Sequence, residues 1–274
     1  MKNMVSALRL YLVMLLKSLL RGVRFRGKGT ILSALCPRDK TVTINLFGYS
    51  FACDLSEHIQ RCIFLYGYDD EAQNFIEKTL KEGDVFLDIG ANVGFYSLLA
   101  ASIIGEKGRV IAIEPNPKTY AKLKRTIEDN GIKNILLLNI GLGEKEGYLN
   151  LFMNPDVHND TATMVVHDAP ESVRVEVVPL DWVAAAHHIE KIAYLKIDVD
   201  GMEPNVFAGA KTLLDEGRIA FIQSEFNDYW LRKNESTPEK LHTLLLGHGF
   251  EDMEGRPHFA ENCLFDRIFV KRQA

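Results

Sequence analysis

None of the four cysteines in this 274-residue chain, Cys36, Cys53, Cys62 and Cys263, belongs to a CxxC pair, and no Cys/His grouping has zinc-finger spacing. That suits a reducing compartment, read here as cytoplasmic. The eight histidines are just as dispersed, and His187 and His188 read as a polar helix end rather than a ligand pair. A phosphate-binding GK[ST] sequence is missing, as are repeats and low-complexity segments. Acidic residues are absent from the first 38 positions, which carry eight basic ones: Lys2, Arg9, Lys17, Arg21, Arg24, Arg26, Lys28 and Arg38. The remainder holds 24 basic against 37 acidic residues, a net charge of −13. An acidic body argues against nucleic acid as its partner.

A long uninterrupted apolar run is also lacking. MVSALRLYLVMLLKSLLRG begins like a signal or a membrane span, but Arg9 and Lys17 leave only residues 10–16 free of charge between them, against roughly 18 for a spanning helix. No small-residue cleavage site follows. Residues 1–35 therefore read as a basic apolar helix with two alternatives. Either it lies in a membrane interface, Arg and Lys toward anionic lipid, making peripheral contact through residues 1–28, or it packs on the domain.

What is present is enough for one sizeable core: 47% of residues are hydrophobic and 25% charged. Residues 36–82 form a lead-in, in which TVTINLFGYSFACD (41–54) alternates around Gly48 as a hairpin. A helix over 69–81 follows, with acids in its first turn and Gly83 as its stop. From residue 83 to the end, short apolar runs VFLDI, RVIAIE, NILLLN, AYLKID and IAFIQSE read as buried parallel strands. Helices are predicted over 94–104, 118–130, 204–216 and 237–247, which makes residues 83–274 an α/β, doubly wound, Rossmann-like sheet. More than fifty residues separate NILLLN from AYLKID, with strand character in GYLNLFMN, TATMVV and SVRVEVV before a short Ala-rich helix at Asp181. Such an insertion is either a substrate-binding elaboration or a surface hairpin.

The stretch VFLDIGANVGFYSLLA runs from strand through a glycine turn into helix. Asp88 ends the strand, and Gly90 and Gly94 let the turn bend with positive φ while a ligand comes close to the main chain. Glu114 ends the next strand 24 positions after Gly90, where an acid can accept from both ribose hydroxyls. Alone, that pair is consistent with NAD. The dinucleotide fingerprint needs a second glycine where this chain has Asn92, which would crowd a pyrophosphate. A ligand with a ribose and no phosphates, S-adenosylmethionine, satisfies both facts, with Asp88 and the Gly90 backbone at its methionine end and Glu114 at its ribose.

FLDIGANVGFYSLLAA, IEPNP, NIGLGEKEG, VVPLDWV, LKIDVDGMEPNVFAGAKTLL and IAFIQSEFN resemble, in order and spacing, the FkbM family of S-adenosylmethionine-dependent methyltransferases across residues 59–227. The resemblance implies a class I methyltransferase fold, seven-stranded with an antiparallel last strand, to which ENCLFDRIFVKR is suited. It implies O-methylation of a small-molecule acceptor: a saccharide, a lipid or lipid-linked glycan, or a secondary metabolite. Its motifs bring Asn92, Asn116 and Gly141 into the cofactor-binding set beside Asp88, Gly90, Gly94 and Glu114. The family often has Glu where this chain has Asp200. A nucleotide-dependent oxidoreductase and a non-catalytic nucleotide-binding module on the same sheet are the alternatives.

Catalytic candidates lie on AYLKIDVDG, where Lys196, Asp198 and Asp200 share one side if the backbone stays extended. Asp198 is the expected base, with Lys196 positioning the acceptor hydroxyl; the plainer alternative is a Lys196–Asp198 ion pair bracing the strand end. Glu225 and Asn227, ending the neighbouring strand, would add to Asp198 and Asp200 oxygen ligands of the kind magnesium accepts, although a metal-free reaction is the main expectation. Glu203, beside Pro204, reads as an acid at a helix N-terminus. Phe226, Tyr229, Trp230, His158, Asn159 and Asp160 are acceptor-pocket candidates, and Tyr66 and Tyr68 would close the cofactor from the N-terminal side.

Overall fold

The computed structural model describes residues 2–20, 28–67, 70–153, 162–163, 171–255 and 257–272. Helices α1 (Lys2–Leu19) and α2 (Lys28–Leu35) precede a hairpin of β1 (Thr41–Leu46) and β2 (Tyr49–Asp54), then α3 (His58–Tyr66) and α4 (Asp70–Thr79). Alternation follows through β3 (Val85–Ile89), α5 (Phe95–Ile104), β4 (Arg109–Ile113), α6 (Pro117–Asp129) and β5 (Ile135–Leu138). The insertion supplies β6 (Gly141–Leu142), β7 (Gly147–Met153), β8 (Ala162–Thr163) and β9 (Glu171–Val178), and α7 (Leu180–Ala186) ends it. The remaining elements are β10 (Ile192–Ile197), α8 (Glu203–Ala208), α9 (Lys211–Asp215), β11 (Ile219–Asn227), α10 (Asp228–Lys233), α11 (Pro238–Gly247), β12 (Phe250–Asp252) and β13 (Leu264–Lys271).

The main sheet has seven strands in the order β12-β13-β11-β10-β3-β4-β5, with β13 antiparallel to both neighbours. The chain works outward from β3 to β5, then returns to lay β10 against the other side of β3. The reversal opens a crevice beyond the carboxyl ends of β3 and β10, where ligands of such sheets bind. β3 and β4 are buried along almost their whole length and β10 along all but one residue, which is why they read as continuous apolar runs. One apolar layer, from Val13 and Leu32 through Phe51 and Ile76 to Leu98 and Leu123, covers one face. A second, from Leu87 and Ile113 through Val183 and Phe207 to Leu245 and Phe269, covers the other.

The insertion is a separate sheet of order β6-β9-β7-β8; His158, Asn159 and Asp160 lie outside the described residues. The expected single helix over 204–216 is two: at Gly209, where a Cβ would strike the Gly143 carbonyl, the carbonyl accepts from Asp181 N–H (2.9 Å). The Asp181 carboxylate then starts α9, accepting from the N–H groups of Thr212 (2.8 Å) and Leu213 (3.1 Å). Helices α3 and α10 and strands β6 and β12 are additions to the expected elements.

At the N-terminus, α1 is packed on the domain through Val13, which is wholly buried. Arg9 donates to the carbonyls of Ala34 (2.7 Å) and Leu35 (3.1 Å), and the Lys17 ammonium donates to the Phe64 carbonyl and lies over the Phe64 ring. Both cations thus satisfy last-turn carbonyls of α2 and α3. Of the two alternatives for this segment, Arg9 and Lys17 follow the one in which the helix packs on the domain.

Candidate active site

At the end of β3, Asp88 is fully buried and accepts from the Ser97 hydroxyl at 2.6 Å. Its Oδ1 is buried without a hydrogen-bond partner. Burial raises its pKa, while Lys196, in register on β10, and the Ser97 hydroxyl oppose the rise. Asp88 is thus enclosed at the strand end, next to the glycine turn. Gly90 has φ +76° and packs so tightly that a Cβ would meet the Asp198 carbonyl oxygen. Its glycine requirement therefore comes from the meeting of two strand ends, not only from room for a ligand. The N–H groups of Gly90 and Ala91 both donate to Ile113 O at 3.0 Å, tying the turn to β4. Gly94 closes the turn as the residue before α5.

Glu114 clasps the same turn from the other side. Its Oε2 accepts from Asn92 N–H and its Oε1 from Asn116 N–H, both at 2.8 Å. Asn92 reaches Glu114 with φ +50°. Burial lifts the Glu114 carboxyl to about 7, with the two N–H donors restraining the rise. Asn116 caps α6 by accepting from Lys118 N–H (3.0 Å), and its Nδ2 is buried without a partner. Asn139 donates to the carbonyls of Glu114 (2.8 Å) and Pro115 (3.1 Å). Gly141 lies two residues on, in β6, paired with Val177 of the second sheet.

On β10, Lys196 is almost fully buried, its Nζ 3.2 Å from Asp198 Oδ2 and 5.3 Å from the centre of the Tyr96 ring. The strand stops at Ile197. Asp200 has φ +50° and Gly201 φ +86°, so the extended backbone expected to align Lys196, Asp198 and Asp200 gives way to a left-handed turn. Glu203 holds that turn, accepting from Val199 N–H (3.0 Å) and Gly201 N–H (3.4 Å). It is 1% exposed, so it braces the turn as well as opening α8.

Three carboxyl groups, Asp200, Glu203 and Glu225, crowd together here beside Asp198. Burial, then the charges of Asp198 and Glu114, raise Asp200 to about 7. Burial, against the Val199 hydrogen bond, raises Glu203 to about 8. Glu225 is raised by burial and by Asp198, Glu203 and Asp200, and its Oε2 is unpartnered. Such a group cannot all ionise together at neutral pH. Among the described residues no set of three or more His, Cys, Asp or Glu is arranged to hold a metal ion. Asn227 instead caps α10, its Oδ1 accepting from Trp230 N–H at 3.4 Å.

The other candidates divide. Tyr229 is 51% exposed and packs edge-on against Trp230, whose backbone abuts Gly201; both lie beside the Asp198–Gly201 turn. Phe226 is core, stacked among Phe259, Phe265 and Phe269. Tyr66 donates to Gly29 O (2.7 Å) on α2, and Tyr68 lies outside the described residues. Phe47, at the hairpin tip, reaches the turn instead, packing edge-on against Phe95 at 5.1 Å. Ser97 and Phe47 escaped the sequence reading; Ser97, nine residues beyond Asp88, is a polar residue in an apolar helix and could have drawn notice.

The Methyltransferase FkbM domain model matches residues 88–251, from Asp88 itself through β12. Hexuronic acid methyltransferase AglP of Haloferax volcanii is 26% identical over 178 residues, covering 64% of this chain and 71% of that protein. The 31-O-demethyl-FK506 methyltransferase FkbM of Streptomyces tacrolimicus is 27% identical over 203 residues, covering 62% and 74%. A crystal structure of methyltransferase FkbM from Methylobacillus flagellatus superposes with a TM-score of 0.47 at 17% identity, over 70% of this chain and 44% of that one. The family match takes in well over half of the chain, which belongs to the FkbM family of S-adenosylmethionine-dependent methyltransferases.

Proposed function

We propose that this protein methylates a hydroxyl group of a saccharide, a lipid-linked glycan or a related metabolite, with Asp198 as the proton acceptor. The observation that carries the reading is the Lys196–Asp198 pair at 3.2 Å, in which Asp198 is the member open to the crevice, its side chain 38% exposed against 5% for Lys196.

The residues present fit S-adenosylmethionine. Asp88 Oδ1 is an unpaired acceptor beneath the turn, suited to an ammonium above it, and Asn116 Nδ2 is an unpaired donor beyond β4. Glu114, with one lone pair on each oxygen left after its two N–H partners, suits a ribose diol. The bound donor supplies an electrophilic methyl group on a sulfonium. Asp198 would orient the acceptor hydroxyl and take its proton as the C–O bond forms and the methyl–sulfur bond breaks, the sulfur leaving as the thioether of S-adenosylhomocysteine, which makes an aliphatic hydroxyl competent at neutral pH. Lys196 holds the Asp198 carboxylate in place through its Nζ–Oδ2 hydrogen bond. Tyr229, exposed beside this turn, offers a face for a sugar ring.

Similarity to a hexuronic acid methyltransferase gives the saccharide acceptor its precedence. Incubation with methyl-labelled donor and uronic-acid, neutral-sugar and lipid-linked acceptors, followed by NMR of the products, tests the proposal. A methyl ether on a former hydroxyl supports it; methyl esters or N-methyl products contradict it.

A further inference from the structure

Half of the sixteen large hydrophobic side chains exposed among the described residues lie on α1. Met4, Leu8, Tyr11, Leu12, Leu15 and Leu19 recur at three- and four-residue spacing and so make one stripe along the helix. Leu8 and Leu19 are 69% and 67% exposed. The opposite side is already satisfied: Val13 is buried, Ser6 donates to Asp39 (2.9 Å), and Arg9 and Lys17 bind carbonyls of α2 and α3. The helix is therefore fixed to the domain by one face and presents a charge-free apolar face outward.

We infer that α1 seats this outward stripe in the interfacial layer of an anionic membrane and holds the methyltransferase domain against it. No helix among the described residues is long and apolar enough to cross a bilayer, so α1 lies on the membrane plane. Charge selects the partner. The stripe is followed at once by Arg21, Arg24, Arg26 and Lys28 in a segment of 38 residues without one acid, whereas the rest of the chain has a net charge of −13. Anionic headgroups complement that basic stretch and repel the acidic body, which sets an orientation.

The test is flotation of the full chain with phosphatidylcholine vesicles, with and without phosphatidylglycerol. It compares wild type with the triple variant Leu8→Asp, Leu12→Asp, Leu15→Asp, which leaves Arg9, Val13 and Lys17 intact. Wild type should float with the phosphatidylglycerol vesicles, and the variant's bound fraction should fall at least about tenfold, with unchanged melting temperature and unchanged S-adenosylhomocysteine binding. Three results overturn the inference: wild type that stays in the buffer fraction, a folded variant that floats equally well, or a wild-type dimer that the variant dissolves without either floating. Because the readout is vesicle binding, the result is independent of whether the acceptor is a saccharide.

Discussion

Lys196 Nζ stands 3.2 Å from Asp198 Oδ2 at the end of β10, the lysine enclosed and the aspartate partly exposed. The asymmetry gives the two residues separable roles. Asp198→Asn keeps a hydrogen-bond acceptor for Lys196 and removes the base. Turnover should fall by about 10²–10⁴ with S-adenosylhomocysteine affinity retained, which single-turnover assays and calorimetry measure together. Lys196→Met should lower turnover less, because Asp198 remains as the base and loses only the hydrogen bond that positions it. Wild-type turnover in a folded Lys196→Met variant would reduce Lys196 to a brace.

Glu203 distinguishes charge from hydrogen bonding. Its Oε1 serves Val199 and Gly201, which an amide oxygen can also do, so Glu203→Gln should preserve the turn. Glu203→Ala would leave two N–H groups without their acceptor and should cost about 1–3 kcal/mol in denaturant unfolding.

The raised carboxyls also predict a direction for stability against pH. Asp200 at about 7 and Glu203 at about 8 hold protons in the folded state that the unfolded chain releases near its ordinary carboxyl values. Between those values the folded state binds more protons, so unfolding free energy falls as pH rises from about 4 through about 8, and Glu225, raised to about 10, extends the fall above that. Thermal melts of the ligand-free protein should show this decline, and Glu203→Gln should make it shallower. A protein equally stable at both ends of the window would contradict the carboxyl cluster.

Gly90 is a geometric test of the site. Its positive φ and the Asp198 carbonyl at its α-carbon both disfavour a side chain. Gly90→Ala should destabilise by at least about 1–3 kcal/mol. It should also depress turnover in the surviving folded fraction, since relief of the clash moves the strand end that carries Asp198.

Much of this was legible in the sequence, for a physical reason in each case. Strands such as β3 and β10 are buried on both faces, so their apolar runs are continuous, and the glycine turn and Glu114 sit where parallel-sheet logic puts them. What was hidden depends on contacts distant in sequence. Helix α3 buries Gln60 and Arg61, the latter donating to the carbonyls of Leu55 (2.8 Å) and Ser56 (3.0 Å), so its inner face does not read as apolar. The break at Gly209 answers to Gly143 and Asp181, and strand β12 is only three residues long. Asp200 sits in a left-handed turn that the AYLKIDVDG pattern did not disclose before Glu203 was seen holding it.

The grip on the donor is the central claim, and calorimetric titration with S-adenosylhomocysteine tests it most directly. Wild type should bind one equivalent, more weakly as pH falls below about 7, because protonation removes an acceptor from Glu114. Asp88→Asn and Glu114→Gln, each checked for folding, should bind at least about tenfold more weakly, the effect of losing a hydrogen bond to a charged group. Folded variants with wild-type affinity, or a wild type that takes up NAD in place of S-adenosylhomocysteine, would contradict it.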